Sequence, residues 1–173
     1  HENEISFDQD NLIIKGIKKV KVFHEMEPEK LPWAALGIDL VLECTGKFTD
    51  LEGARKHLEA GAKKVLISAP GKDTMPTIVY NVNNNAINKE VRIFSAASCT
   101  TNCLAPVLKV INDNIGIERG YMSTLHAYTN DQATMDGSHK KGILSRRGRA
   151  CAANIVPTST GAAKAIGLVI PDL

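Results

Sequence analysis

The run Ile38-Asp39-Leu40-Val41-Leu42-Glu43-Cys44-Thr45-Gly46 decides the fold, together with residues 47 to 71. Residues 38–44 are almost continuously apolar, the pattern of a parallel strand covered on both faces. Leu51, Ala54 and Leu58 then share one face of a helix over Asp50 to Ala60, which Gly61 stops. Lys63-Lys64-Val65-Leu66-Ile67 is a second buried strand, ending in Ser68-Ala69-Pro70-Gly71. Strand, helix and strand within about 30 residues make a βαβ unit. Ligands of such units lie beyond the carboxyl ends of the strands, where Thr45-Gly46 and Ser68-Ala69 fall. Taken alone, each of these turns reads first as ordinary turn chemistry.

Upstream, residues 1 to 11 are polar and acidic and read as loop. Leu12-Ile13-Ile14 and Val20-Lys21-Val22-Phe23 read as a hairpin turning near Gly16, with one wet face. Pro28 and Pro32 interrupt the chain, and Trp33 opens a short helical turn. Downstream, Thr77 to Val82 reads as a strand, Asn83-Asn84-Asn85 as a turn, and Val91 to Ala96 as another strand. That last strand runs into Ser98-Cys99-Thr100-Thr101-Asn102-Cys103. Leu104, Val107, Leu108 and Ile111 follow at helical spacing, and Asn114-Ile115-Gly116 closes the helix. Pro106 then has to fall near the first turns, where a missing N–H is tolerated.

A helix start exposes unpaired N–H groups and the positive end of the peptide dipoles. A thiol placed there ionises more easily, which makes Cys99 the candidate nucleophile. A lone cysteine reads equally well as a small buried hydrophobe. The hydroxyls of Ser98, Thr100 and Thr101 are suited to capping the helix or holding an anion. Gly120 to Tyr128 alternates like a strand, with His126 near its end, where either a structural imidazole or a general base belongs. Thr129, Asn130 and Asp131 come next, all able to bind a small polar ligand. Residues 136 to 150 are glycine-rich and carry Lys140, Lys141, Arg146, Arg147 and Arg149, with no carboxylate after Asp136. Such a loop is either simply solvated or lies against anions, a cofactor phosphate or a neighbouring subunit. Too few aromatics accompany it for a nucleic-acid platform. Thr160-Gly161 precedes a small-residue helix, Ala162 to Gly167, and suits a phosphate.

Composition narrows the class. With 43% hydrophobic and 23% charged residues, the 173-residue chain is an ordinary globular protein. A net charge of +2 gives no reason to expect nucleic acid or a membrane surface. No apolar run approaches the ~20 residues that span a bilayer. The opening His1-Glu2-Asn3-Glu4 is polar, unlike a secretory leader, and has no initiator Met, so the sequence reads as the inside of a longer one. Cys44, Cys99, Cys103 and Cys151 form no C-x-x-C pair, so no metal site is expected, and the chain reads as reduced and cytoplasmic.

The stretch Ser98-Cys99-Thr100-Thr101-Asn102-Cys103-Leu104-Ala105-Pro106 closely resembles phosphorylating glyceraldehyde-3-phosphate dehydrogenases of the bacterial type. The resemblance runs through essentially the whole chain. Pro32-Trp33, Glu43 to Phe48, Ser68-Ala69-Pro70, His126 to Gln132 and Pro157 to Lys164 all fit in order. It implies an α/β fold, part of a Rossmann-type dinucleotide-binding domain over residues 1–98 followed by the start of an α+β catalytic domain over 99–173. Cys99 is then the nucleophile that forms a thiohemiacetal and a thioester, and His126 the base paired with it. Ser98, Thr100, Thr160 and Gly161 match residues that hold the attacking inorganic phosphate. Thr129 and Asp131 match the substrate-phosphate site, where Asp131 is expected to orient an arginine or a hydroxyl. Thr45, Gly46, Phe48 and Ser68 match positions beside the dinucleotide. The substrates implied are glyceraldehyde 3-phosphate and inorganic phosphate, in glycolysis. Loop 129 to 150 matches the segment that reaches a neighbouring subunit's cofactor in a homotetramer.

The family's glycine-rich fingerprint and acidic ribose-binding residue are not in this sequence, nor is a key arginine that the family carries later in the chain, nor its long C-terminal helix. These 173 residues alone are therefore expected not to turn over. Ser138 stands where NAD-using members often carry proline and NADP-accepting chloroplast members a serine, and NAD is the expected cofactor over NADP. Erythrose-4-phosphate dehydrogenase is the nearest rival, opposed by the intact Thr129 to Gln132. A secondary role in adhesion or RNA binding would rest on the basic loop alone. A cysteine hydrolase would need a third group to orient His126 and no nicotinamide.

Overall fold

A computed structural model describes residues 4–15, 19–135 and 137–173. The chain forms two compact units, one from His1–Thr77 with Ala86–Ala96 and the other from Ile78–Asn85 with Ala97–Leu173.

The first unit holds two three-stranded sheets. In one, β1 (Ile5–Phe7), β2 (Asn11–Ile14) and β3 (Val20–Lys21) run antiparallel in that order. Pairing of Ile5 with Ile14 and Phe7 with Leu12 makes a strand of a stretch expected to be loop. Its composition is polar, but Ile5-Ser6-Phe7 alternates and finds a partner ladder. The hairpin turn expected near Gly16 lies outside the described residues. Trp33–Leu36 forms the short helix α1, ended by Gly37 at φ 63°.

The second sheet is the βαβ unit read from the sequence. β4 (Leu40–Glu43), β5 (Lys64–Ile67) and β6 (Ile93–Ser95) are parallel neighbours, and α2 (Leu51–Glu59) connects the first two. Asp50 caps α2 by accepting the Gly53 N–H at 2.8 Å. The helix ends at Ala60, and Gly61 follows at φ 103°. A Cβ on Gly61 would lie 2.5 Å from that of Ala34, so no larger residue fits this approach. Register places Val41, Val65 and Ile93 in one row and Glu43, Ile67 and Ser95 in the next. Ala54 of α2 closes over Val65 and Ile67. The opposite face of β4 is not covered as the apolar run predicts. Leu40 and Leu42 are 44% and 60% exposed, because among the described residues only the α2 side of this strand is packed.

Thr77 to Val82 is not a strand. Thr77 makes a single parallel bridge to Ser95, and a turn follows with Asn81 at φ 59°. Asn83 Oδ1 accepts the Val79 N–H and Asn84 Oδ1 the Asn81 N–H, each at 2.9 Å. Asparagine side chains thus take the donors that a ladder would need.

The second unit is built on α3 (Cys99–Asn114) and α4 (Ala162–Val169). Ala97, Ala105, Val79, Ile166, Val169 and Ile170 form its buried core, with Leu104 and Leu108 packed against it. Gly116, at φ 83°, closes α3 on the carbonyls of Ile111 and Asn112. The helix begins at Cys99, so Pro106 is in its interior rather than near its start as expected. Packing of Ala105 and Leu108 on either side of it carries the helix across the missing bond. Residues 120 to 128 alternate as read but are not a strand. Tyr121 and Leu125 stand exposed, and no described segment pairs with them. No helix of the described residues is long and apolar enough to cross a membrane.

Candidate active site

The site is organised by the first turn of α3. Ser98 is its N-cap, with extended backbone, and its Oγ accepts the Thr101 N–H at 3.0 Å. The same oxygen lies 2.7 Å from the hydroxyl of fully buried Thr101. Ala97, just before the cap, is buried at φ 60°, a conformation that costs energy for any residue with a Cβ. Cys99 is therefore the first helical residue, its side chain exposed.

His126 Nε2 lies 3.4 Å from Cys99 Sγ. His126 Nδ1 is 2.6 Å from the Ala127 carbonyl oxygen. A carbonyl only accepts, so Nδ1 carries the hydrogen and Nε2 faces the sulfur. In this arrangement a neutral ring is able to accept the thiol proton, and a charged ring to donate to the thiolate. Hydrogen bonding from His126 lowers the Cys99 pKa, helped by the Thr100 hydroxyl and N–H and opposed by partial burial. The Ala127 carbonyl first, then Cys99, raises the His126 pKa, while Arg147 works against it. Both directions favour a thiolate–imidazolium pair.

A second cluster surrounds Asp131. Thr129 donates its hydroxyl to Asp131 Oδ1. Arg147 donates to Asp131 Oδ2 at 2.5 Å and to Thr158 Oγ1 at 3.2 Å. The Thr129 hydroxyl first, then Arg147, lowers the Asp131 pKa. The carboxylate is thus spent on an arginine and a hydroxyl. Arg147 is the residue that sequence reasoning did not single out. Its only signal was membership of a cationic run without carboxylates, and its partner lies 16 residues away. Thr160 Oγ1 accepts the Ala162 N–H at 3.2 Å, and Gly161 caps α4. No hydrogen bond among the described residues joins Thr160 or Gly161 to Ser98 or Thr100.

In the first unit, Thr45 and Gly46 follow β4, and Ser68 follows β5. The Ser68 N–H donates to the Glu43 carbonyl at 3.0 Å, which ties the two strand ends together. Both side chains, of Thr45 and of Ser68, are exposed. Gly46 sits at φ 69° with no atom within 4 Å of where a Cβ would be. Exposed hydroxyls at adjacent parallel strand ends, beside an open glycine turn, fit a ligand lying against the backbone, as a dinucleotide does. Phe48 is half-buried against His57, with ring centroids 6.3 Å apart.

Residues 98–173 match the family model for the glyceraldehyde 3-phosphate dehydrogenase C-terminal domain, and residues 1–51 that for the same family's NAD binding domain. The chain is 59% identical over 170 residues to the glyceraldehyde-3-phosphate dehydrogenases of Clostridium acetobutylicum and of Clostridium pasteurianum. The alignments cover 98% of this chain and 50% of each relative. This chain belongs to the glyceraldehyde-3-phosphate dehydrogenase family. It spans about half the length of the curated relatives it matches. Both relatives are bacterial, in keeping with the type that the cysteine motif resembles. The family's C-terminal-domain match begins at the cap residue of α3, so the whole Cys99–His126 pair falls inside it.

Proposed function

We propose that the protein carrying this chain is a phosphorylating, NAD-dependent glyceraldehyde-3-phosphate dehydrogenase, a cytoplasmic glycolytic enzyme that works as a homotetramer. Residues 1–98 are the carboxyl part of its NAD-binding domain and 99–173 the start of its catalytic domain. The observation that carries the reading is the 3.4 Å approach of His126 Nε2 to Cys99 Sγ at a helix start.

The Cys99 thiolate adds to the aldehyde carbon, and His126 gives its Nε2 proton to the developing alkoxide. NAD, when bound, supplies the hydride acceptor. As the hydride leaves the thiohemiacetal carbon, His126 takes the hydroxyl proton back and the carbon becomes a thioester on Cys99. A phosphate oxygen attacks that carbon, the sulfur leaves as thiolate, and the acyl phosphate, 1,3-bisphosphoglycerate, is released. Ser98, Thr100, Thr160 and Gly161 hold the attacking phosphate. Thr129 and Asp131 serve the substrate phosphate, and the Arg147 cation that Asp131 steadies supports this reading. Thr45, Gly46, Phe48 and Ser68 line the dinucleotide.

In a chain of the relatives' length carrying these residues, NAD reduction should require both the aldehyde and inorganic phosphate. Cys99→Ser should abolish it. Reduction that continues unchanged without phosphate, or in C99S, overturns the proposal.

A further inference from the structure

We propose that Glu43 and His57 are positioning residues that, with Trp33, set the Thr45-Gly46 turn so that Thr45 presents a hydrogen-bond acceptor to the bound cofactor. This rests on the reading that Thr45 and Gly46 line the dinucleotide.

Glu43 ends β4 on the face that α2 covers, in a row with Ile67 and Ser95, and is 3% exposed. A carboxylate there needs its lone pairs met by donors. Its Oε2 lies 2.9 Å from Nε2 of His57, itself 5% exposed on α2. Its Oε1 accepts the Thr45 N–H at 2.7 Å and the Thr45 hydroxyl as well. Behind His57, the Trp33 indole N–H donates to Nδ1 at 3.1 Å.

The direction of this line is forced from its inner end. An indole nitrogen only donates, so His57 Nδ1 must accept. The hydrogen of the neutral ring is then on Nε2 and points at Glu43. With one carboxylate oxygen held by His57, the other is directed at the turn. The imidazole itself is walled by Trp33 and, edge-on, by Phe48.

The consequence falls on Thr45. Its hydroxyl proton is committed to Glu43, and its oxygen already accepts the Lys47 N–H at 3.1 Å. One lone pair remains for a ligand. Thr45 therefore receives a donor, such as a sugar hydroxyl or an exocyclic amine, and gives nothing to a phosphate oxygen. Buried and half-buried groups behind the turn thus decide which chemistry an exposed threonine offers.

The test uses a chain of the relatives' length and measures NAD dissociation constants by calorimetry. Glu43→Gln and His57→Leu should each weaken NAD by about fivefold to tenfold, the loss of roughly one hydrogen bond. In steady state the KM for NAD should rise while kcat at saturating NAD holds. His57→Gln, which keeps a donor toward Glu43, should recover most of the loss. Thr45→Val should weaken NAD, and adding E43Q to it should add nothing further. Without cofactor, nitrogen-15 NMR should show His57 Nδ1 unprotonated and the Trp33 indole hydrogen slow to exchange. If E43Q does not fold, Glu43→Asp, which draws the oxygens back from Thr45, replaces it. NAD binding unchanged in E43Q and H57L but weakened in T45V overturns the positioning role and leaves the cofactor reading standing. Unchanged binding in T45V brings down both. A hydrogen found on His57 Nδ1 overturns the proposal whatever the variants do.

Discussion

His126 uses its two nitrogens for different purposes, and the division is testable. Nδ1 is fixed on a carbonyl, so Nε2 alone meets the sulfur. His126→Asn removes the largest influence that lowers the Cys99 pKa. The pH at which iodoacetamide reaches half its limiting rate should then move up toward the ordinary thiol value of about 8.5. Each unit of that shift cuts the thiolate present at neutral pH about tenfold. An unchanged profile would mean that the imidazole has no part in ionising the thiol. Asp131 has the opposite sign. Its depressed pKa keeps it charged through the ordinary carboxylate range, so its hold on Arg147 is present above that range and lost only as pH falls through the lowered value. Asp131→Asn should remove the hold at neutral pH and raise the KM for the phosphorylated aldehyde by about tenfold, the loss of one charge-assisted bond. Spacing alone leaves His126 unassigned, because 27 residues separate it from Cys99 and no periodicity links them. In the sequence, only the family motif pairs the two.

At the scale of elements, α3 depends on its cap. Ser98 meets the Thr101 N–H and hydroxyl, so Ser98→Ala should cost about 1 kcal/mol in denaturant unfolding. Ser98→Thr, which keeps an oxygen there, should cost less. Because Cys99 is the first residue inside that cap, S98A should also raise the pH of half-maximal alkylation. How far each element is legible in the sequence depends on its physics. The βαβ unit is plain because Val41, Val65 and Ile67 bury on a sheet face and Ala54 packs over Val65 and Ile67. Two expected strands fail for different reasons. Over 77 to 82, local asparagine bonds replace ladder bonds, a competition that propensity does not weigh. Over 120 to 128, alternation is present, but a strand is defined by its partner, which a single segment cannot reveal. Pro106 misleads by its usual rule, because tertiary packing holds α3 together around it.

The two units keep separate cores, and this sets what a core change does to the chemistry. Ile67 belongs to the cluster under α2, and Ile166 to the cluster joining α3 and α4. The two clusters share no residue, and both isoleucines are almost fully buried. Ile67→Ala and Ile166→Ala should each destabilise the protein by about 2–5 kcal/mol through lost burial and a residual cavity. Because each isoleucine packs in a cluster of its own, the two effects should add to within about 0.5 kcal/mol in the double variant. Their chemical consequences should differ. Ala97 and Ala105, which flank the first turn of α3, pack in the Ile166 cluster. Loosening that cluster frees the turn that holds Cys99, so I166A should raise the pH of half-maximal Cys99 alkylation. The Ile67 cluster contains neither Cys99 nor His126 nor their immediate supports, so I67A should leave the profile where it is despite a comparable loss of stability. Equal shifts in both variants would show that the thiol's reactivity tracks global stability rather than the core beneath its own helix.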